Sequence, residues 1–149
     1  MARLAPQKSH AFSIPVRVYY EDTDAGGVVY YANYLKYFER CRTEWLRAIG
    51  QQQADLLRDP GIAFMVRSVN LEYRKPARLD DLLQVSLEVE KISRVQIFFR
   101  QHIRRAHPAL ENTWDELVSG TIQIVCVNST LLKSTPIPEF LRSRLENLQ

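Results

Sequence analysis

With 149 residues, 46% of them hydrophobic and 25% charged, the chain can bury one substantial core, and no Pro-, Gly- or Ser-rich tract divides it into domains. Its net charge of +3 is spread over 20 basic and 17 acidic residues without a basic block, which argues against a nucleic-acid-binding protein. The first dozen residues lack the apolar run of a signal peptide, and the longest uncharged stretch, residues 117–132, is broken by Ser, Thr, Gln and Asn. A cytoplasmic protein without a membrane span is expected.

Residues 12–20 are rich in Val, Ile, Phe and Tyr, with Ile14, Val16 and Val18 alternating against Pro15 and Arg17, and predict a strand. The strand leads into Glu-Asp-Thr-Asp-Ala-Gly-Gly, residues 21–27. From residue 30 to 49 apolar side chains recur at helical spacing through Tyr34, Tyr37, Phe38, Cys41 and Trp45, with Gly50 as a stop. Asp24 therefore sits just ahead of a long helix. A helix start offers unpaired N–H groups and the positive end of the macrodipole, so an acid and an electron-rich carbonyl can both be held there. By residue type alone, the same carboxylate also reads as a cap or turn acceptor.

A short polar helix over residues 51–58 and the Asp59-Pro60-Gly61 turn precede a strand over 63–74, in which Val69, Leu71 and Tyr73 share a face. After the loop 75–81, Leu83, Val85, Leu87 and Val89 alternate with Gln84, Ser86, Glu88 and Glu90, the cleanest two-residue period in the chain. Residues 91–94 turn into a strand over 95–105 carrying Ile97, Phe99 and Ile103 on one face. The polar segment 107–116 reads as a loop, residues 117–127 as a strand and residues 138–148 as a small helix.

Strand, long helix, then four strands joined largely as hairpins is an α+β pattern: an antiparallel sheet of about five strands wrapped around one helix. One domain spans residues 1–149, with its core over about 12–128. Such a sheet has edges, and pairing two of them in a dimer removes them. Cys41 and Cys126, each among apolar neighbours, read as buried thiols, while His10, His102 and His107 form no ligand spacing. Neither a metal nor another cofactor is expected.

The segment Tyr-Tyr-Glu-Asp-Thr-Asp-Ala-Gly-Gly-Val-Val-Tyr-Tyr, taken with the helical stretch after it as residues 19–47, resembles the YbgC branch of the 4-hydroxybenzoyl-CoA thioesterase family of hotdog-fold proteins. Residues 72–81, Glu-Tyr-Arg-Lys-Pro-Ala-Arg-Leu-Asp-Asp, resemble the same branch. The resemblance implies a hotdog fold, metal-free cleavage of acyl-CoA thioesters, and dimers or dimers of dimers, hence homotetramers, with active sites between subunits. Asp24 matches the family's catalytic aspartate. Tyr31 stands where some members carry histidine, so its backbone amide, not its side chain, is what carries over.

On that basis Asp24 is expected to act as nucleophile or general base and the Tyr31 amide to polarise the thioester carbonyl. Gly26 and Gly27 would let the backbone approach the substrate. Glu21 and Asp22 read as solvated or structural, and Tyr30, Tyr31, Tyr34, Tyr37 and Phe38 as helix core before acyl pocket. Glu39 with Arg42, and Arg40 with Glu44, read as surface ion pairs. Among the basic residues in or beside loops, Arg74, Lys75, Arg78, Lys91 and Arg94, the pair Lys91 and Arg94 is preferred for CoA phosphates, reaching from a partner subunit. Two other functions remain open: a dedicated aryl-CoA hydrolase of the naphthoyl-CoA kind, and a non-catalytic hotdog module binding an acyl thioester or acyl carrier protein.

Overall fold

The computed structural model describes residues 12–146. In chain order it contains β1 (Phe12–Arg17), a single 3₁₀ turn (Tyr20–Asp22), α1 (Asn33–Ala48), α2 (Gln53–Arg58), β2 (Ile62–Tyr73), β3 (Leu82–Ile92), β4 (Gln96–Ala106), β5 (Trp114–Asn128) and α3 (Glu139–Glu146). The strands form one sheet in the order β1-β3-β4-β5-β2, antiparallel at every step. Because β1 and β2 occupy opposite edges, the connection between them must cross the whole sheet, and α1 lies in that crossing.

The buried face of α1 carries Tyr34, Tyr37, Phe38, Cys41, Trp45 and Leu46, the three- and four-residue spacing of an apolar stripe. It packs on Leu83, Val85 and Leu87 of β3, Ile97, Phe99 and Ile103 of β4, and Val118 and Ile122 of β5. The Trp45 and Phe99 rings meet edge to face at 5.3 Å. Both cysteines are free and buried; burial pushes the Cys41 thiol up to about 12 and the Cys126 thiol to about 11. No helix among the described residues is long and apolar enough to cross a membrane.

Several boundaries differ from the sequence reading. β1 stops at Arg17 because the Tyr19 N–H is diverted to the Asp22 carboxylate, which turns the chain. α1 begins at Asn33 rather than residue 30, since the Val29 and Tyr30 N–H groups bond the Ala77 and Asp22 carbonyls and hold that stretch extended. β5 begins at Trp114, not 117: Asp115 and Glu116 face Arg105 and Arg104 of β4, so charges that suggested a loop are cross-strand partners. The C-terminal helix is Glu139–Glu146 among the described residues; Pro138 lies just ahead of it, and residues 147 and 148 of the predicted span lie outside them. Leu141 and Leu145 seat it on the core, and the Arg142 guanidinium donates to the Ser93 carbonyl at 2.6 Å.

Candidate active site

The loop between β1 and α1 is built around Asp22. This carboxylate is buried; Oδ2 accepts the Tyr19 N–H at 2.8 Å and Oδ1 the Asn33 side-chain amide at 2.9 Å, tying the 3₁₀ turn to the first residue of α1. Burial alone would raise its pKa, but the donors from Tyr19 and Asn33, with the nearby Tyr37 hydroxyl and the Arg40 charge, outweigh it and hold Asp22 below its ordinary value of 3.8. The Tyr37 hydroxyl beside it is buried without hydrogen-bonding geometry to any of the described residues, and burial, then Asp22, raise its pKa. Asp22 is thus a structural acceptor, one of the two readings the sequence left open for it.

Two residues on, Asp24 is exposed. Its N–H bonds the Val28 carbonyl at 2.9 Å and its carbonyl accepts the Gly27 N–H at 3.0 Å, closing residues 24–28 into one turn. Within it the Gly26 N–H donates to Asp24 Oδ1 at 2.8 Å, leaving Oδ2 without a protein donor among the described residues. A Cβ on Gly26 would come within 3.1 Å of that Oδ1, and Gly27 has φ +78°, a conformation that favours glycine. Both glycines therefore shape the carboxylate's setting.

Tyr31 immediately precedes the N-cap residue of α1, Ala32. Its N–H finds no acceptor among the described residues, the condition an oxyanion donor needs, while its carbonyl accepts the Tyr73 hydroxyl at 3.2 Å. The Tyr31 and Tyr73 rings meet edge to face at 6.3 Å. Tyr34 extends the clasp from below: its buried hydroxyl accepts the Ala77 N–H at 3.0 Å, and the Ala77 carbonyl accepts the Val29 N–H at 2.9 Å. The two stretches that resemble the family, residues 19–47 and 72–81, are thereby bonded face to face.

A cleft of about 260 Å³ opens between Tyr31, Tyr34 and Tyr73 on one side and Arg74, Lys75 and Pro76 on the other. Both cations have partners, Arg74 with Glu72 at 2.8 Å and Lys75 with Asp115 at 3.3 Å. Lys91 and Arg94 lie elsewhere. β1 runs antiparallel to β3 and leaves toward Asp24 opposite Leu82, whereas Lys91 is at the far end of β3, about 30 Å along the strand. One chain therefore does not bring Lys91 or Arg94 to its own Asp24.

Two α1 ion pairs read from the sequence do not form. Glu39 accepts from Thr43, Glu44 pairs with Arg47, and Arg42 turns beneath the helix to Gln101 Oε1 at 2.9 Å. Gln101 was legible only as a polar residue at a position where Ile97, Phe99 and Ile103 demand an apolar one. Among the described residues no cluster of His, Cys, Asp and Glu could hold a metal ion.

One antiparallel sheet packed on a single long helix is the hotdog architecture that the sequence resemblance implied. Residues 26–111 match the thioesterase superfamily. The acyl-CoA thioesterase YbgC of Haemophilus influenzae is 41% identical across 94% of this chain and 98% of that protein. A probable thioesterase from Bartonella henselae superposes with a TM-score of 0.78 at 30% identity, covering 86% of this chain and 99% of that one. The 1,4-dihydroxy-2-naphthoyl-CoA thioesterase from Synechocystis shares the fold, with a TM-score of 0.81 at 22% identity over 93% and 97% of the two chains. The chain belongs to the thioesterase superfamily, within its YbgC-like branch, and is a thioester hydrolase.

Proposed function

We propose that the protein hydrolyses short-chain or aromatic acyl-CoA thioesters to the free acid and CoA, with Asp24 as nucleophile or general base and the Tyr31 amide as oxyanion donor. The observation that carries this reading is the Asp24 carboxylate, held on one oxygen by the Gly26 N–H while the other is free, at the same loop as an amide without an acceptor. As nucleophile, Asp24 adds to the thioester carbon, the thiolate of CoA leaves, and water cleaves the resulting anhydride. As base, it takes a proton from water as the hydroxide adds, and the tetrahedral intermediate expels the same thiolate. In both, negative charge develops on the carbonyl oxygen, where the Tyr31 N–H would stabilise it.

The working form is a dimer or a dimer of dimers in the cytoplasm. β2 supports it: a 12-residue edge strand with Met65, Val66, Val69 and Tyr73 exposed. In such an assembly Lys91 and Arg94 of a second copy are the candidates for the CoA phosphates, and acyl carrier protein is the alternative thioester carrier. Asp24→Asn is expected to lower kcat roughly 100-fold or more with the thermal transition unchanged, because the exposed amide oxygen can still accept the Gly26 N–H. Turnover near that of wild type would sink the role of Asp24.

A second reading, a dedicated aryl-CoA hydrolase, draws on the half-exposed rings of Tyr30, Tyr31 and Tyr73 around the loop. Thiol release from a panel of aliphatic and aryl-CoA thioesters separates the two; binding without release from any of them would favour the non-catalytic module.

A further inference from the structure

Beneath the middle of α1 lies a second cavity, about 110 Å³, that the chemistry above does not use. Trp45 of α1, Phe64 and Val66 of β2 and Phe99 of β4 give it apolar walls. Arg42 projects into this setting. One of its N–H groups donates to Gln101 Oε1, and Gln101, itself 0% exposed, is fixed by donating to the Phe38 carbonyl at 3.2 Å. No carboxylate among the described residues forms an ion pair with Arg42. Glu39, at the rim, is committed to Thr43 at 2.7 Å. A guanidinium has five N–H donors; Arg42 is half-buried and, among the described residues, bonds only Gln101 through its side chain, so its other N–H groups remain available to an acceptor that enters the cavity.

The cavity is far from Asp24 of its own chain, since Arg42 lies about two and a half turns into α1, roughly 13 Å along the axis from Asn33. Dimerisation through β2 changes that. A two-fold pairing of these edges runs the strands antiparallel, setting the half with Phe64 and Val66 against the half of the other strand with Leu71 and Tyr73. Tyr73 holds the Tyr31 carbonyl, so the cavity of one chain opens beside the Tyr31 amide and Asp24 of the other.

We propose that this cavity receives the acyl group, and that Arg42 selects short acyl groups bearing a distal oxygen acceptor, a hydroxyl or a carboxylate. The inference rests on the reading of Asp24 as the group that acts on an acyl-CoA thioester. Size sets the chain length: a cavity of about 150 Å³ holds benzene, so this one suits about four heavy atoms beyond the carbonyl. The planar fork of Arg42, oriented by Gln101, meets an oxygen at the end of such a chain.

The test is steady-state thiol release from butyryl-CoA, 3-hydroxybutyryl-CoA and succinyl-CoA, each against an enzyme-free blank, by wild type, Arg42→Met and Arg42→Lys. Wild type is expected to show a KM about tenfold lower for at least one oxygenated substrate than for butyryl-CoA. Preference for the hydroxyl or for the carboxylate tells which acceptor the site takes. Arg42→Met should erase that preference by raising KM for the oxygenated substrate, and Arg42→Lys should restore part of it. Equal KM values for the three substrates in wild type would overturn the proposal without recourse to any variant. So would an Arg42→Met enzyme that loses kcat/KM on all three by one common factor. Absence of turnover by wild type on every thioester would overturn this proposal and the reading beneath it together.

Discussion

Asp22 and Asp24 are the same side chain two residues apart with opposite fates. Asp22 is buried among donors and organises the loop; Asp24 is exposed and shares one oxygen with a glycine amide. The contrast has a consequence in acid. A carboxyl held below 3.8 in the folded state stabilises the protein above that pH and ceases to do so as the pH falls through its lower folded value. Glu116 behaves alike below 4.5, through His102 and Arg104, with burial opposing. Asp22→Asn should therefore flatten part of the acid limb of stability, measured as urea midpoints from pH 3 to pH 7, and lower stability at pH 7 by about 2 kcal/mol. A pH profile parallel to wild type would mean that Asp22 contributes no such linkage. Because Asp22 also anchors Asn33, the variant should reduce kcat as well by loosening the turn that carries Asp24.

At the scale of elements, β2 carries the sharpest expectations. Gly120 of β5 faces Leu71 of β2, and a Cβ there would stand 2.1 Å from the Asn70 carbonyl oxygen and 2.6 Å from Leu71 Cδ2. Gly120→Ala should destabilise by at least about 3 kcal/mol, read as a lowered thermal midpoint or loss of soluble protein, since backbone rather than a flexible side chain must move. No described strand pairs with the opposite edge of β2, and Val69→Glu, at a position 40% exposed, should keep the fold while lowering the mass in solution from the proposed oligomer to the 17.4 kDa chain. The alternation in β3 and the stripe on α1 were legible because each element meets one core face, and period then follows geometry. The start of β5 was not, because Asp115 and Glu116 look like loop residues until Arg105 and Arg104 stand opposite. The start of α1 was hidden for a related reason: Val29 and Tyr30 are committed to Ala77 and Asp22, contacts between distant segments that no local period reports. In the site, Asp24 and its glycines stood out as a local motif. Arg42 did not, because its partner Gln101 is 59 residues away.

For the molecule as a whole, the proposed site is divided between two chains. Asp24 and Tyr31 lie on a loop that is exposed among the described residues, whereas attack on a thioester gains from a setting that excludes water. In the proposed dimer, β2 and α1 of a second copy would wall this loop. Specific activity should then fall on dilution, in step with dissociation of the dimer measured by analytical ultracentrifugation. A decisive form of the experiment uses Asp24→Asn as a helper. At a wild-type concentration low enough for most chains to be monomeric, excess Asp24→Asn chains, whose own slow turnover is measured alone and subtracted, would supply that wall. Activity per wild-type chain should rise severalfold and saturate as mixed dimers form, because each mixed dimer retains one Asp24 facing one intact cavity. Helper chains that also carry Val69→Glu should give no rise, since their β2 edge cannot pair. If one chain were sufficient, neither helper would change the rate, and the division of the site between subunits would be wrong.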